Sequence, residues 1–360
     1  MALDRITLTT FRNHAETRLD GTAQLNLLVG ENGAGKTNVL EALSLFAPGR
    51  GMRRASMAEM AGEAGDGGFA ISALLADGSG EPVRLGTGMR AERTGRRVVQ
   101  VNGAEATAIS LGEWLAIGWL TPAMDRLFAD GAGARRRYMD RLAVALDPAH
   151  ARYTTRYETA LRERNRLLAE PRIPDAKWLA GIEAQMAETG AALTAGREML
   201  VERLIAQLAQ VPDQPFARPA LYYAANAPAT ADALRAELAE GRARDRAAQR
   251  TLTGPHRDDL AVTMAGKDMP AASCSTGEQK AMLIALTLAH AELAADVRPG
   301  VLLLDEVAAH LDPVRRNALF DRLRGGGTQV WLTGTETAPF EGILSEAAVW
   351  RVEDGAVERL

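Results

Sequence analysis

Residues Gly30-Glu31-Asn32-Gly33-Ala34-Gly35-Lys36-Thr37 follow the pattern G-x-x-x-x-G-K-[ST]. They sit between the apolar run Leu25–Val29 and a helical stretch from Thr37 to Leu45. A strand that enters a glycine-rich turn and leaves it as a helix is the phosphate-holding unit of an α/β sheet. The glycines let backbone N–H groups wrap around phosphates, and the N-terminus of the following helix adds a favourable dipole. Lys36 is expected to reach the β- and γ-phosphates, and the Thr37 hydroxyl to coordinate Mg²⁺. The chain therefore carries a nucleotide site.

The rest of the chain is read around that unit. Two short strands precede the loop from Ile6 onward, and residues 68 to 101 alternate in the manner of antiparallel strands ending at the turn Asn102-Gly103. From about Ala134 to Gln210 glycine is sparse and the period becomes helical. Trp178, Ile182, Met186, Leu193, Leu200, Leu204, Leu208 and Val211 form one apolar stripe. The stripe predicts a helix of roughly 35 residues, about 50 Å long. A helix from about Pro148 to Ala169 is expected to pack antiparallel to it, and a third from about Thr230 to Gln249 closes the region. Beyond Gly254 the chain returns to α/β character, with a helix from about Glu278 to Ala294 and strands at Val301–Leu304 and Gln329–Leu332. The expected fold is α/β: a discontinuous head of mixed sheet and antiparallel strands, residues 1–118 and 251–360, with a mainly helical arm, residues 119–250, inserted.

Two further segments belong with the loop. Val301–Leu304 ends in Asp305-Glu306, so a buried parallel strand delivers Asp305 to the Mg²⁺ shell and leaves Glu306 to polarise a water for attack on the γ-phosphate. Ser275-Thr276-Gly277-Glu278-Gln279-Lys280 precedes a helix; Ser275 is a natural cap, and Gly277 lets backbone approach an anion. Together these segments resemble the ATP-binding-cassette class of ATPases, with Ser275-Thr276-Gly277 in the place of the signature motif. Leu311-Asp312 resembles the segment that follows the catalytic carboxylate, which puts Asp312 among the nucleotide-binding residues. The resemblance implies an ABC-type ATPase head that binds ATP and Mg²⁺. It also implies that Ser275 acts across a dimer interface, so that ATP joins two copies and hydrolysis releases them.

Within that class the arm is longer than a transporter ATPase's insertion and far shorter than that of the chromosome-condensing ATPases. Thr253-Gly254-Pro255-His256-Arg257-Asp258-Asp259-Leu260, Phe11-Arg12-Asn13-His14, and Thr121-Pro122 followed by Arg135-Arg136-Arg137 and Asp140-Arg141 resemble the RecF family of bacterial recombination mediators. There are departures: Ala123-Met124 where two acids are usual, Ala265-Gly266-Lys267 in place of an Asn-Gly turn, and Glu278-Gln279 where two glutamines are common. Thr333-Gly334-Thr335 stands where transporter ATPases carry a histidine. The resemblance implies a slow, DNA-stimulated ATPase. Its ATP-bound homodimer would clamp DNA at single-strand gaps and, with RecR and RecO, promote RecA loading in repair, replication restart and SOS induction. A transport-coupling ATPase and a P-loop kinase with Glu306 as base are the competing readings. The octapeptide itself reads either as a relay near the dimer interface or as a turn with solvated charges.

Composition narrows the class. The formal net charge is −4, from 42 Lys and Arg against 46 Asp and Glu. DNA contact must therefore rest on local patches, through the backbone and without sequence reading. Two stretches are basic: Glu81 to Gln100, with a surplus in Arg84, Arg90, Arg93, Arg96 and Arg97, and Asp130 to Arg172, with ten arginines against six acids. Tyr153 and Tyr157, one helical turn apart, suit core packing of the arm. One cysteine, Cys274, no secretory leader and no membrane-length apolar run point to the cytoplasm.

Overall fold

The computed structural model describes residues 2–63, 65–76, 80–172, 174–212 and 214–360. They form two compact units, one of Met1–Asp125, Pro212–Phe216 and Leu283–Leu360, the other of Arg126–Val211 and Ala217–Met282.

The first unit holds two six-stranded sheets. One runs in the order Ala356–Arg359, Ala347–Glu353, Leu25–Val29, Gln329–Gly334, Gly300–Leu304, Ala116–Leu120, parallel throughout except at the Ala356–Arg359 edge. Leu25–Val29, Gly300–Leu304 and Gln329–Gly334 are buried along their whole length, as strands covered on both faces must be. The other sheet is antiparallel, in the order His14–Asp20, Leu3–Phe11, Phe69–Leu75, Val83–Met89, Arg97–Val101, Ala104–Glu105. Here burial alternates, with Phe69, Ile71, Ala73 and Leu75 inward. Asn102 and Gly103 turn the chain with φ of 50° and 83°, the double positive φ that an Asn-Gly hairpin turn requires. One core joins the two sheets to the P-loop helix Lys36–Ser44: Ile6, Leu8, Phe11, Leu40 and Leu43 are all buried in it, and Trp331 stacks on Trp350 at 5.5 Å.

The second unit is built on the helices Ala132–Leu146, Ala149–Ala169 and Ala176–Ala209. The last has 34 residues, and at 1.5 Å per residue it runs about 50 Å. The predicted stripe is buried from Ile182 to Leu208. Trp178 departs from it at 50% exposed, its indole N–H donating to Glu163 at 3.2 Å. The helix ends before Val211. The preceding helix packs antiparallel to it: Glu163 and Arg164 meet Trp178 and Glu183 near the connection, while Tyr157 and His150 crowd Gly190 and Gly196 farther along. Tyr157 is core, with Tyr153 packed beside it. The expected third helix is two, Ala231–Glu240 and Arg242–Ala247, divided at Gly241, the poorest helix former short of proline. A small sheet in the order Met269–Pro270, Asp259–Met264, Pro219–Ala224 completes the unit.

The contact boundaries differ from 118 and 251. Residues 119–125 stay with the first unit because Ala116–Leu120 pairs with Gly300–Leu304. Residues 251–282 lie in the second because Asp259–Met264 pairs with Pro219–Ala224. Among the described residues no helix is long and apolar enough to cross a membrane.

Candidate functional site

The loop Gly30–Thr37 leaves the buried strand Leu25–Val29 and enters the helix Lys36–Ser44 with Gly35 as its cap. Two glycines are required for definite reasons. A Cβ on Gly30 would lie 2.1 Å from the Val352 carbonyl oxygen, and Gly35 has φ of 118° with Asn13 and His14 packed against it. Lys36 Nζ donates to the carbonyls of Gly30 and Glu31, both at 2.7 Å. Burial lowers its pKa, against the pull of Glu306 and Asp305. Asn38 and Val39 donate their N–H groups to the Gly35 carbonyl at 2.9 and 3.2 Å, and the N–H groups ahead of them at this helix N-terminus suit an anion.

Asp305 stands at the end of Gly300–Leu304. Its Oδ1 accepts from Thr37 Oγ1 at 3.0 Å and from Thr333 Oγ1 at 2.9 Å. Burial raises the Asp305 pKa, and the hydrogen bonds from Thr333 and Thr37 work the other way. Among the described residues no group of three or more His, Cys, Asp or Glu can hold a metal. The Thr37–Asp305 pair suits Mg²⁺ all the same, because that ion takes one or two protein oxygens and completes its shell with phosphate and water. Glu306 follows with φ of 53°, a left-handed conformation that costs a non-glycine residue about 1–3 kcal/mol. Its N–H donates to Thr333 Oγ1 at 2.8 Å, which holds that turn. The residue found in place of a histidine therefore touches both carboxylate positions. Lys36, Thr37, Asn32, Gly33 and Glu306 line a cleft of about 180 Å³ together with Gly35, Asn38 and Arg53.

The turn Phe11–His14 braces this loop from behind. Asn13 Nδ2 donates to the Ala34 carbonyl at 2.9 Å. His14 Nε2 lies 3.1 Å from the Gly35 carbonyl, which can only accept, so the ring carries its proton there. Arg12 grips the fully buried Glu41 with two nitrogens, at 2.9 and 2.8 Å. Arg53 reaches the same carboxylate at 3.1 Å and Asn38 at 2.7 Å. The roles of Arg12, Glu41, Arg53 and Thr333 are additions to the predicted site. The available signal was Glu41, the one charged residue in the otherwise apolar or small run Val39–Phe46.

The remaining predicted residues cap helices. Ser275 opens the helix Thr276–Ala295, which begins two residues earlier than expected, in a reciprocal capping box. Its Oγ accepts from the Glu278 N–H at 3.3 Å and donates to the Glu278 carboxylate at 2.9 Å. Lys267 binds the same carboxylate at 2.7 Å, and these contacts, Lys267 first, hold the Glu278 pKa down to about 2. Gly277 faces open space, and both it and Ser275 belong to the second unit. Asp312 caps Pro313–Gly325 by accepting from the Arg315 N–H at 3.0 Å.

The octapeptide is a turn, but Arg257 apart its charges are tied to partners and not solvated. Asp258 is 0% exposed and accepts from Arg197 and the Asn226 N–H, each at 2.8 Å, and from the Tyr223 hydroxyl. Arg197 also spans Asp140 at 2.8 and 2.9 Å. Arg135 pairs with Asp259 at 2.8 Å, and Arg136 donates to the Asp258 carbonyl at 2.7 Å. His256 donates to the Thr251 carbonyl at 3.1 Å and accepts from Tyr157 at 2.8 Å. Burial lowers its pKa and keeps it neutral. Arg257, by contrast, is exposed and forms no salt bridge among the described residues.

The model of the RecF/RecN/SMC N terminal domain matches residues 2–357. The DNA replication and repair protein RecF of Mesorhizobium japonicum is 47% identical, covering 99% of this chain and 97% of its own length. That of Brucella suis is 44% identical over 99% and 95%. The chain belongs to the RecF family of DNA replication and repair proteins. A solved structure of the recombination mediator RecF with ATP, from the RecFOR pathway, superposes with a TM-score of 0.87 at 23% identity, covering 100% of this chain and 97% of that one. The Smc head of Pyrococcus furiosus superposes at 0.56 and 15% identity, over 100% and 96%. The fold is thus the ABC-type ATPase head with an inserted helical arm, as RecF and Smc heads share it.

Proposed function

We propose that this RecF-family chain is an ATP-dependent, DNA-binding recombination mediator of the cytoplasm. In this reading the loop Gly30–Thr37 and Lys36 bind the β- and γ-phosphates, and Thr37 and Asp305 are the residues that would hold Mg²⁺. Glu306 orients and deprotonates the attacking water. When bound, Mg²⁺ offsets the charge developing on the phosphate oxygens. Ser275, with Gly277 open beside it, and Asp312 complete the site across a homodimer, so ATP joins two chains. That dimer clamps DNA at single-strand gaps through the backbone. With RecR and RecO it promotes RecA loading in repair, replication restart and SOS induction. The names of the relatives, and the RecFOR pathway named for the solved structure, support the pathway assignment.

The observation that carries the reading is the hydrogen bond from Thr37 to Asp305, which brings residues 268 apart in the chain into one phosphate and cation cradle. Light scattering without nucleotide and with ATP–Mg²⁺ tests it. The expected result is a rise toward twice 38.5 kDa with ATP, lost in Ser275→Arg while ATP binding persists. A Ser275→Arg variant that dimerises normally would remove the trans-acting role.

A further inference from the structure

We propose that the hairpin loop Arg90–Arg96 is a contact surface for the phosphodiester backbone of DNA, and that Arg97 at its root couples this surface to the nucleotide site. The inference rests on the reading above that the chain binds DNA and hydrolyses ATP. It adds the place of contact and the route of coupling.

The loop joins Val83–Met89 to Arg97–Val101. Arg90, Arg93 and Arg96 are exposed. The acids near them are Glu92 within the loop, Asp66 close to Ala91, and Glu105, which approaches Arg96 only to 4.0 Å. Arg90 and Arg93 form no salt bridge among the described residues. The loop is nonetheless ordered by its own bonds. The Arg93 N–H donates to Arg90 and the Arg96 N–H to Arg93, each at 3.1 Å, and the Gly95 N–H lies 3.0 Å from the Met89 sulfur. A preformed turn that holds three guanidinium groups in solvent suits a polyanion, and arginine matches phosphate geometry with its fork of donors.

The other basic stretch argues the same way by contrast. In residues 130–172, Arg135 binds Asp259, Arg136 a backbone carbonyl, Arg164 a buried pair of acids and Arg166 Glu170. Much of that surplus is committed inside the protein. The surplus at residues 90–96 is not.

Arg97 is a different kind of arginine. Its Nε donates to Thr87 at 2.9 Å, its Nη1 to the Gly49 carbonyl at 2.7 Å and its Nη2 to the Leu45 carbonyl. Among the described residues no carboxylate pairs with it, and desolvation brings its pKa down to about 10, still cationic at neutral pH. Leu45 caps the C-terminus of Lys36–Ser44, the helix whose other end is the phosphate loop. A cation there satisfies end carbonyls and complements the helix dipole. The helix has nine residues, about 13 Å from end to end. An apolar side chain would anchor a hairpin without burying a charge. A half-buried arginine on those two carbonyls makes any displacement of the hairpin a displacement of the helix that carries Lys36 and Thr37.

Fluorescence anisotropy on a gapped oligonucleotide over a salt series, with ATPase measured with and without that DNA, tests both halves. The wild-type chain should bind and be stimulated. The variant R90A/R93A/R96A should bind more weakly, with a log–log salt slope shallower by about 2–3 for three lost phosphate contacts. Arg97→Gln should keep wild-type DNA affinity and basal turnover but lose stimulation. Arg97→Lys, which keeps the cation and part of the bonding, should recover some of it and guards against a Gln variant that fails to fold. A wild-type chain without DNA affinity overturns the underlying reading together with this one. Wild-type binding with an unaltered slope in the triple variant overturns the hairpin surface alone. Full stimulation of Arg97→Gln, with the triple variant impaired, overturns the coupling, and so does a folded Arg97→Lys variant that shows no stimulation at all.

Discussion

Thr333→Val is the substitution that asks most of the site. It exchanges a hydroxyl for a methyl of nearly equal size, so packing against the buried strand is retained. Two hydrogen bonds are lost: the one donated to Asp305 at 2.9 Å and the one accepted from the Glu306 N–H at 2.8 Å. A hydrogen bond to a charged group contributes about 1.5–3 kcal/mol, and an unsatisfied backbone N–H costs about 1–3 kcal/mol. If roughly 2–4 kcal/mol of this bears on the transition state, hydrolysis slows about 30- to 1000-fold. Asp305 also loses one of the two hydroxyls that oppose its burial, so its pKa rises further. A protonated Asp305 cannot hold the cation. The Mg²⁺ requirement of the variant should therefore worsen as pH falls, and more steeply than in the wild type. Single-turnover hydrolysis against Mg²⁺ concentration, at acidic and alkaline pH, measures both effects. Thr333→Ser restores the hydroxyl and should recover most of the rate. A valine variant with wild-type turnover and an unchanged Mg²⁺ requirement would refute the argument that Thr333 holds the two acids in place.

Glu306→Gln should bind ATP, hydrolyse it slowly and accumulate as dimer in light scattering; undiminished turnover would remove Glu306 as the base. Arg164→Leu leaves Glu183 and Asp245 buried without their shared cation, although Arg242 still reaches Glu183. Chemical denaturation should show a loss of about 3–5 kcal/mol, as for a broken buried pair, and a loss within error would mean the arm relaxes to admit water. Glu278 is held low by Lys267 and the Ser275 cap, so its share of stability is complete above pH 4.5 and disappears as pH falls toward about 2. Carboxyl NMR should find that low titration in the wild type and a rise toward the ordinary value in Lys267→Ala; equal values would sever the Lys267 link.

What could be read in advance followed from how each feature is encoded. The P-loop, the strand ending at Asp305 and the stripe from Ile182 to Leu208 are each continuous in sequence, and local period or spacing declares them. The strand Pro219–Ala224 was not legible. It is short, opens on a proline, and its partner Asp259–Met264 lies beyond two helices. The arginines of residues 130–172 show the same limit, since counting charges records a surplus but not that Arg164 and Arg135 already have acids. The conformation of Glu306 depends on Thr333, 27 residues on, and no local pattern could state it.

The octapeptide shows what such long-range polar contacts do. Burying a matched ion pair contributes little net stability compared with an apolar cluster of the same volume, but removing one partner is costly. The chain nevertheless uses such knots where distant segments meet: Arg12–Glu41–Arg53 behind the phosphate loop, Arg197 between Asp140 and Asp258, and Arg164 between Glu183 and Asp245. Leucine and alanine, which dominate the arm, can slide along a helix of 34 residues with small changes in contact. A guanidinium that must satisfy two carboxylates and a carbonyl cannot slide. Arg197, fixed to Asp140, Asp258 and the Pro255 carbonyl, therefore sets the register of the long helix against the turn that carries His256 and Arg257. The dense polarity of that turn follows from the need to place one segment accurately.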